Sequence, residues 1–348
     1  MSDTNFPLYL PGLENPHKLQ FSMVAADVGR IHVQMARYIF KDAKLQKQEQ
    51  NIFNIKDFES FEDIFRKFQE GNNFDLPERV SLGVPGPVIG GKCVSDNLPW
   101  TLDEEELQKN LGVEKVILIN DLEATAYRLA EVSEEDIKVL KKGNPSQHGN
   151  VAILAPGIGL GEAGLFFDGK CLRPFATEGG HSEFSPRDAA EVQFYQFLNQ
   201  IYGIVTWEKV ITVEGVFNIY RYLRDVRRHK ETEELTKAIE SEESFLDVII
   251  DSATNTKTQI SKMTMEALVE FMAREANNLV LKLKATGGLI LAGDIPRKIV
   301  PFLESEKFYK KFIISDKMEI LLKDIPIYIL DDDKAILNGA AYYGAYYN

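Results

Sequence analysis

The chain has 348 residues, 44% of them hydrophobic, and a formal net charge of −13 at pH 7. That length accommodates two domains with proper cores. No apolar run approaches the ~18–20 residues needed to cross a membrane, and the acidic surplus argues against nucleic acid, whose phosphates demand a basic face.

Residues 1–20 carry Pro7, Pro11, Gly12 and Pro16 with no hydrophobic period, which predicts an extended arm. The start lacks a basic segment followed by an apolar one, so a secretory signal is not expected. Cys93 and Cys171 sit in no metal or redox spacing, which suits a reducing cytoplasm. From Phe21 the pattern turns to β: residues 21–29, 31–40 and 50–55 read as three strands, with a glycine turn after the first. Phe61, Ile64, Phe65 and Phe68 then fall on one helical face within residues 60–69. A short strand at 79–84, the turn Pro85-Gly86-Pro87 and a helix at 103–110 follow.

Residues 116–127 are the most informative stretch. An apolar run, Val116 to Ile119, ends in Asn120-Asp121, and helical spacing begins at once. In open α/β sheets ligands collect at such strand ends. Read in isolation, Asp121 is an N-cap.

After an exposed connector (131–150) the first theme returns. Val151 to Pro156, the turn Gly157-Ile158-Gly159, Glu162 to Phe167 and Lys170 to Phe175 repeat the strand, glycine turn and strand seen near residue 21. Such a repeat implies two domains on one plan, with glycine turns facing each other across a cleft. Turns with exposed backbone N–H groups are anion cradles, so the pair points to a polyphosphate. Helices are expected at 187–202, 213–228 and 264–284, the last stopping at Gly287-Gly288. Strands at 289–294 and 325–330 and a closing helix at 335–346 complete the chain. Arg221 to Lys230, followed directly by Glu231, Glu233 and Glu234, reads as a solvated helix face.

Two polar clusters stand where a core would not choose them: Glu178-Gly179-Gly180-His181 and Trp207-Glu208-Lys209. The five histidines and two cysteines offer no zinc spacing. Asn, Asp, two Glu and a His together suit a polyhydroxylated ligand, whose hydroxyls need both donors and acceptors.

With Ile119 to Ala124, Glu178 to His181 followed by Phe184-Ser185-Pro186-Arg187, Trp207 to Val210, Asn97-Leu98-Pro99-Trp100 and Leu291-Ala292-Gly293, the chain resembles the bacterial glucokinase family from about Met23 to Tyr347. The resemblance implies a two-domain, actin-like ATPase fold of duplicated ribonuclease-H-like α/β units with an inter-domain cleft. Residues 1–20 would be the arm, 21–131 with 331–348 the small domain and 132–330 the large one. It implies a cytoplasmic kinase that phosphorylates glucose, or a related hexose, at the 6-hydroxyl with ATP and magnesium, with no nucleic-acid or membrane partner and with a homodimer open. Asp121 would be the catalytic base. Asn120, Glu178, His181 and Glu208 would hold the sugar, and Gly29, Arg30, Gly157, Gly159 and Gly293 the nucleotide. Asp27 would reach magnesium, through water.

The sequence departs from the family pattern on the nucleotide side. Ile31 and Ile158 stand where the two phosphate loops carry threonine, Asp294 where the family has glycine, and Thr212-Val213-Glu214-Gly215 where it has Ser-Gly-Pro-Gly. Each Thr-to-Ile change removes a hydroxyl donor to phosphate, worth about 1.5–3 kcal/mol, while Asp294 and Glu214 add negative charge. A weakly active or non-catalytic sugar-binding member and a kinase for a different hexose therefore remain as alternatives.

Overall fold

The computed structural model describes residues 6–10, 17, 19–95, 98–144, 148–240 and 244–347. Asn97 of the motif above, and most of the expected arm, lie outside the described residues. In chain order the strands are β1 (Gln20–Val28), β2 (His32–Lys41), β3 (Lys44–Asn54), β4 (Arg79–Val84), β5 (Val88–Ile89), β6 (Lys92–Cys93), β7 (Leu102–Asp103), β8 (Lys115–Asn120), β9 (Ile137–Lys141), β10 (Val151–Pro156), β11 (Leu160–Phe167), β12 (Leu172–Thr177), β13 (Gly288–Leu291) and β14 (Ile327–Leu330). The helices are α1 (Phe61–Asn72), α2 (Glu104–Leu111), α3 (Asp121–Arg128), α4 (Ala189–Tyr202), α5 (Glu208–Ile211), α6 (Val213–Asp225), α7 (Glu233–Glu240), α8 (Phe245–Asp251), α9 (Gln259–Leu283), α10 (Asp294–Lys298), α11 (Val300–Leu303), α12 (Glu306–Phe312), α13 (Glu319–Lys323) and α14 (Ala335–Tyr346).

Two compact units result: Met1–Glu134 with Asp168–Ala176 and Asp332–Asn348, and Glu135–Phe167 with Thr177–Asp331. In the first, five strands order as β3-β2-β1-β4-β8. β1, β2 and β3 are antiparallel, whereas β1, β4 and β8 run parallel. In the second, β11, β10, β13, β14 and β9 are successive neighbours. There β10 is antiparallel to β11 and parallel to β13, which is parallel to β14. An antiparallel turn-back followed by parallel strands is thus built twice, as the repeat in the sequence implied.

The patterning explains the layers. The parallel strands β4 and β8 read Val-Ser-Leu-Gly-Val and Val-Ile-Leu-Ile because both their faces are covered. α1 is capped by Ser60, whose Oγ accepts the Asp63 N–H, and buries Phe61, Ile64, Phe65 and Phe68. Each such side chain contributes about 1.5–3 kcal/mol. α14 covers the opposite face through Leu337, Ala341 and Ala345. The second unit's core gathers around α9, whose Met265, Leu268, Met272, Ala276 and Val280 are buried.

Several details differ from the sequence reading. The connector at 131–150 carries an edge strand, β9, paired to β14; Ile137 is its one buried residue, too little for a periodic signal. α9 stops at Leu283, before the glycines, because Lys284 takes φ 48° and Asn150 Nδ2 donates to the Leu283 carbonyl. The third strand starts at Lys44 because Asp42 and Ala43 themselves take positive φ and make the turn. Among the described residues no helix is long and apolar enough to cross a membrane.

Candidate active site

In the first unit, register brings the carboxyl ends of β1, β4 and β8 side by side. Asp27 pairs with Gly83, and Gly83 with Ile119, so Asp27 and the Asn120-Asp121 step share one edge, two strands apart. At ~4.8 Å per strand that separation is about 10 Å. Asn120, not Asp121, caps α3. Its Oδ1 accepts the N–H groups of Leu122 (2.9 Å) and Glu123 (3.3 Å), while its Nδ2 donates to the Gly86 carbonyl at 3.1 Å. That corrects the capping role first assigned to Asp121, which is instead the first helical residue, half-buried, with Oδ1 accepting the Leu122 N–H at 2.8 Å. The helix dipole there favours a negative charge.

Sequence reasoning missed the wall beside it. The β5-β6-β7 ribbon carries buried Cys93, whose thiol is pushed up by burial and by the charge of Asp121. Ser95 Oγ donates to the Pro85 carbonyl at 2.6 Å and pins the Pro85-Gly86-Pro87 turn. Burial raises Glu123 to about 7, which weakens its negative charge near neutral pH. The first glycine turn is closed by Gly29 N–H donating to the His32 carbonyl at 2.9 Å. Arg30 and Ile31 are exposed at its tip, and among the described residues Arg30 has no ion-pair partner.

In the second unit, the loops after β10 and β13 lie together because those strands are parallel neighbours. Gly157 N–H donates to the Gly159 carbonyl (2.9 Å), and Val213 N–H, at the start of α6, donates to the Gly157 carbonyl (3.0 Å). Gly293 has φ 82°, and a Cβ there would come within 2.8 Å of the Pro156 carbonyl oxygen, so the close approach of the two loops requires glycine. Ile158 is 55% exposed, a side chain turned outward from a backbone loop. The two added acids are each paired: Glu214 with Lys209 Nζ at 2.7 Å and with the Tyr202 hydroxyl, Asp294 with Arg297 Nη2 at 2.6 Å. The Lys209 contact helps hold the Glu214 carboxyl below its ordinary range against the opposing effect of burial.

The sugar candidates of this unit assemble around Leu160, the residue that follows the glycine loop. Leu160 N–H donates to Glu208 Oε2 at 3.2 Å. On its other side a Cβ on Gly180 would stand 2.2 Å from the Leu160 carbonyl oxygen, so the Glu178–His181 turn rests on that backbone. The turn is tied down by His181 N–H to the Glu178 carbonyl (3.1 Å), and Trp207 N–H donates to the Ser182 carbonyl (3.0 Å), which sets Glu208 beside it. The Glu178 and His181 side chains remain exposed and Glu208 half-buried. Beneath them Arg274, also unseen in the sequence, is 3% exposed, bonded to Glu191 Oε2 and the Ser185 carbonyl at 2.5 Å, and stacked against Phe184 and Trp207. Among the described residues no cluster of three His, Cys, Asp or Glu could hold a metal by itself.

Comparison with known proteins bears on the family and the fold. A sequence model of the family described as glucokinase matches residues 24–346. The chain is 30% identical over 332 residues to a glucokinase of Nostoc punctiforme, covering 92% of this chain and 97% of that one. It is 32% identical over 277 residues to a glucokinase of Trichormus variabilis, covering 76% and 81%. Among solved structures it resembles a glucokinase from an Antarctic psychrotroph (TM-score 0.77, 22% identity, 93% and 98% covered). It also resembles a Balamuthia mandrillaris glucokinase in complex with glucose (0.75, 22%, 93% and 94%). A Streptomyces griseus ROK family glucokinase with glucose and AMPPNP shares the fold at TM-score 0.62 and 15% identity, covering 92% and 98%.

Proposed function

This chain belongs to the glucokinase family, and from that premise we propose that it moves the γ-phosphoryl group of ATP to the 6-hydroxyl of glucose with Asp121 as the base. The observation that carries the assignment is local. Asn120 takes over the helix cap, so Asp121 stands at the amino end of α3 on the same sheet edge as Asp27.

As the sugar oxygen attacks phosphorus, its proton passes to the Asp121 carboxylate, the new O–P bond forms and the bond from phosphorus to the β,γ-bridging oxygen breaks. In so loose a transition state the base serves chiefly to orient the nucleophile. Asn120, Glu178, His181 and Glu208 would hold the sugar hydroxyls. The amide Nδ2 of Asn120 and a ring N–H of His181 would supply donors and the carboxylates acceptors. The backbone of Gly29, Gly157, Gly159 and Gly293 would cradle phosphates, with Arg30 as the side-chain cation. Magnesium keeps most of its water and binds through one or two carboxylates plus phosphate oxygens. Asp27, next to the end of β1, would supply one such carboxylate, and the ion would neutralise charge on the transferring group.

The same arrangement makes a non-catalytic role the weaker reading, because each acidic departure already has a cation beside it. A coupled assay of glucose 6-phosphate formation tests the assignment. Turnover with glucose, ATP and magnesium is expected, lost on Asp121→Asn; no turnover above that variant would refute it. A panel of hexoses in the same assay addresses sugar preference.

A further inference from the structure

Two buried carboxyl groups lie under the sugar turn. Glu162, on β11, is 2% exposed and Glu275, on α9, is fully buried. A Cβ added at Gly179 would fall 2.0 Å from Glu162 Oε2 and 2.8 Å from its Cδ, so the carboxyl group is packed directly against the backbone of the Glu178–His181 turn. A second tie runs through Thr177: its Oγ1 donates to the Glu162 carbonyl at 3.0 Å and accepts the Gly179 N–H at 3.2 Å. The pair favours keeping one proton between its two carboxyl groups. Burial pushes Glu275 above the ordinary carboxylate range as well, and Asn278 Nδ2 at 2.8 Å and Lys282 Nζ at 3.7 Å oppose that and favour its charged form. Oε1 of Glu162 and Oε1 of Glu275 are both buried without a hydrogen-bond partner, and a proton on Glu162 donated to Glu275 would satisfy the pair.

We propose that Glu162, as the neutral acid, is a positioning residue for the sugar site: its protonated carboxyl group, bonded to Glu275, is the floor that fixes the turn bearing Glu178 and His181. The proposal rests on the reading of those two residues as sugar ligands. Ionising Glu162 would place two negative charges together in a buried site, a cost relieved only by admitting water and lifting the turn. Burial first, and then the charge of Glu275, push Glu162 up to about 8, with Lys282 opposing. These two groups, both on α9, are the charged groups that face it; on the turn side Gly179 is in contact, and the Glu178 and His181 side chains are exposed.

Calorimetric titration of the full chain with glucose, at intervals from about pH 6 to pH 9, tests the proposal without requiring turnover. The dissociation constant of the wild type is expected to rise roughly tenfold between about pH 7 and pH 9, because binding is linked to one proton. Glu162→Gln, neutral at every pH and still able to donate to Glu275, should remove that rise while keeping the neutral-pH affinity within about twofold. Glu275→Gln should move the rise to lower pH, since the neighbouring charge is gone, and gives an independent readout if Glu162→Gln does not fold. Coincident pH profiles for wild type and Glu162→Gln, or an unmoved profile in Glu275→Gln, would overturn the positioning role. Glucose binding at no pH would instead overturn the sugar-site reading and the proposal with it.

Discussion

The proposed sugar side and the proposed phosphate side of this molecule are built by different means. Glu178, His181 and Glu208 are side chains set in place by a short backbone network through Leu160, Ser182 and Trp207, with Arg274 and Glu162 buried beneath. The loops proposed to hold phosphate are backbone: Gly29, Gly157, Gly159 and Gly293 are closed by main-chain hydrogen bonds or by close main-chain contact, while Ile31 and Ile158 are exposed. A side-chain site fails when one residue type changes, whereas a backbone cradle keeps its donors when its side chains are replaced. The departures from the family pattern fall on the side that tolerates them.

That contrast can be broken or sharpened by substitution. The largest effect belongs to Asp121→Asn, which should lower kcat by about 10²–10⁴-fold with glucose binding retained, measured by coupled assay and by calorimetry. Next is Glu208→Gln. It keeps an oxygen for the Leu160 N–H but removes the charge, so glucose should bind about 10- to 100-fold more weakly, since hydrogen bonds to charged groups carry about 1.5–3 kcal/mol. The corresponding change on the phosphate side should be smaller. Ile158→Thr and Ile31→Thr each restore one donor among backbone donors, and kcat/KM for ATP should rise by only about two- to tenfold. Gains of a hundredfold would mean that the cradle depends on side chains after all. Smallest is Lys209→Ala, which leaves Glu214 without its cation. ATP–Mg should bind about two- to fivefold more weakly, less so at high salt, as expected for a half-exposed pair.

How much could be read from the sequence follows the same division. Asn120 and Asp121 stood out because an apolar strand ends abruptly in polar residues, Asp27 only through the family resemblance, and the two sheets follow the duplicated strand–glycine–strand pattern. The exchange of roles between Asn120 and Asp121 was not, because either can cap a helix and only the geometry decides. Leu160 left no trace as an organiser, since it works through its backbone. The Glu162–Glu275 pair and the Arg274–Glu191 bond join residues far apart in the chain, which no local period encodes. By contrast the Lys209–Glu214 and Asp294–Arg297 pairs are close in sequence and could have been weighed against the added charge at the outset. The small helices α10, α11 and α13 are too short to show an amphipathic period.

The central claim is that a backbone cradle still binds the nucleotide beside an intact sugar site. It is tested most directly by calorimetric titration of the Asp121→Asn protein, in which binding is separated from turnover, with glucose and separately with ATP–Mg. Saturable binding of both is predicted, with ATP–Mg in the roughly micromolar to millimolar range usual for kinase substrates. Glucose binding with no saturable ATP–Mg signal would contradict it.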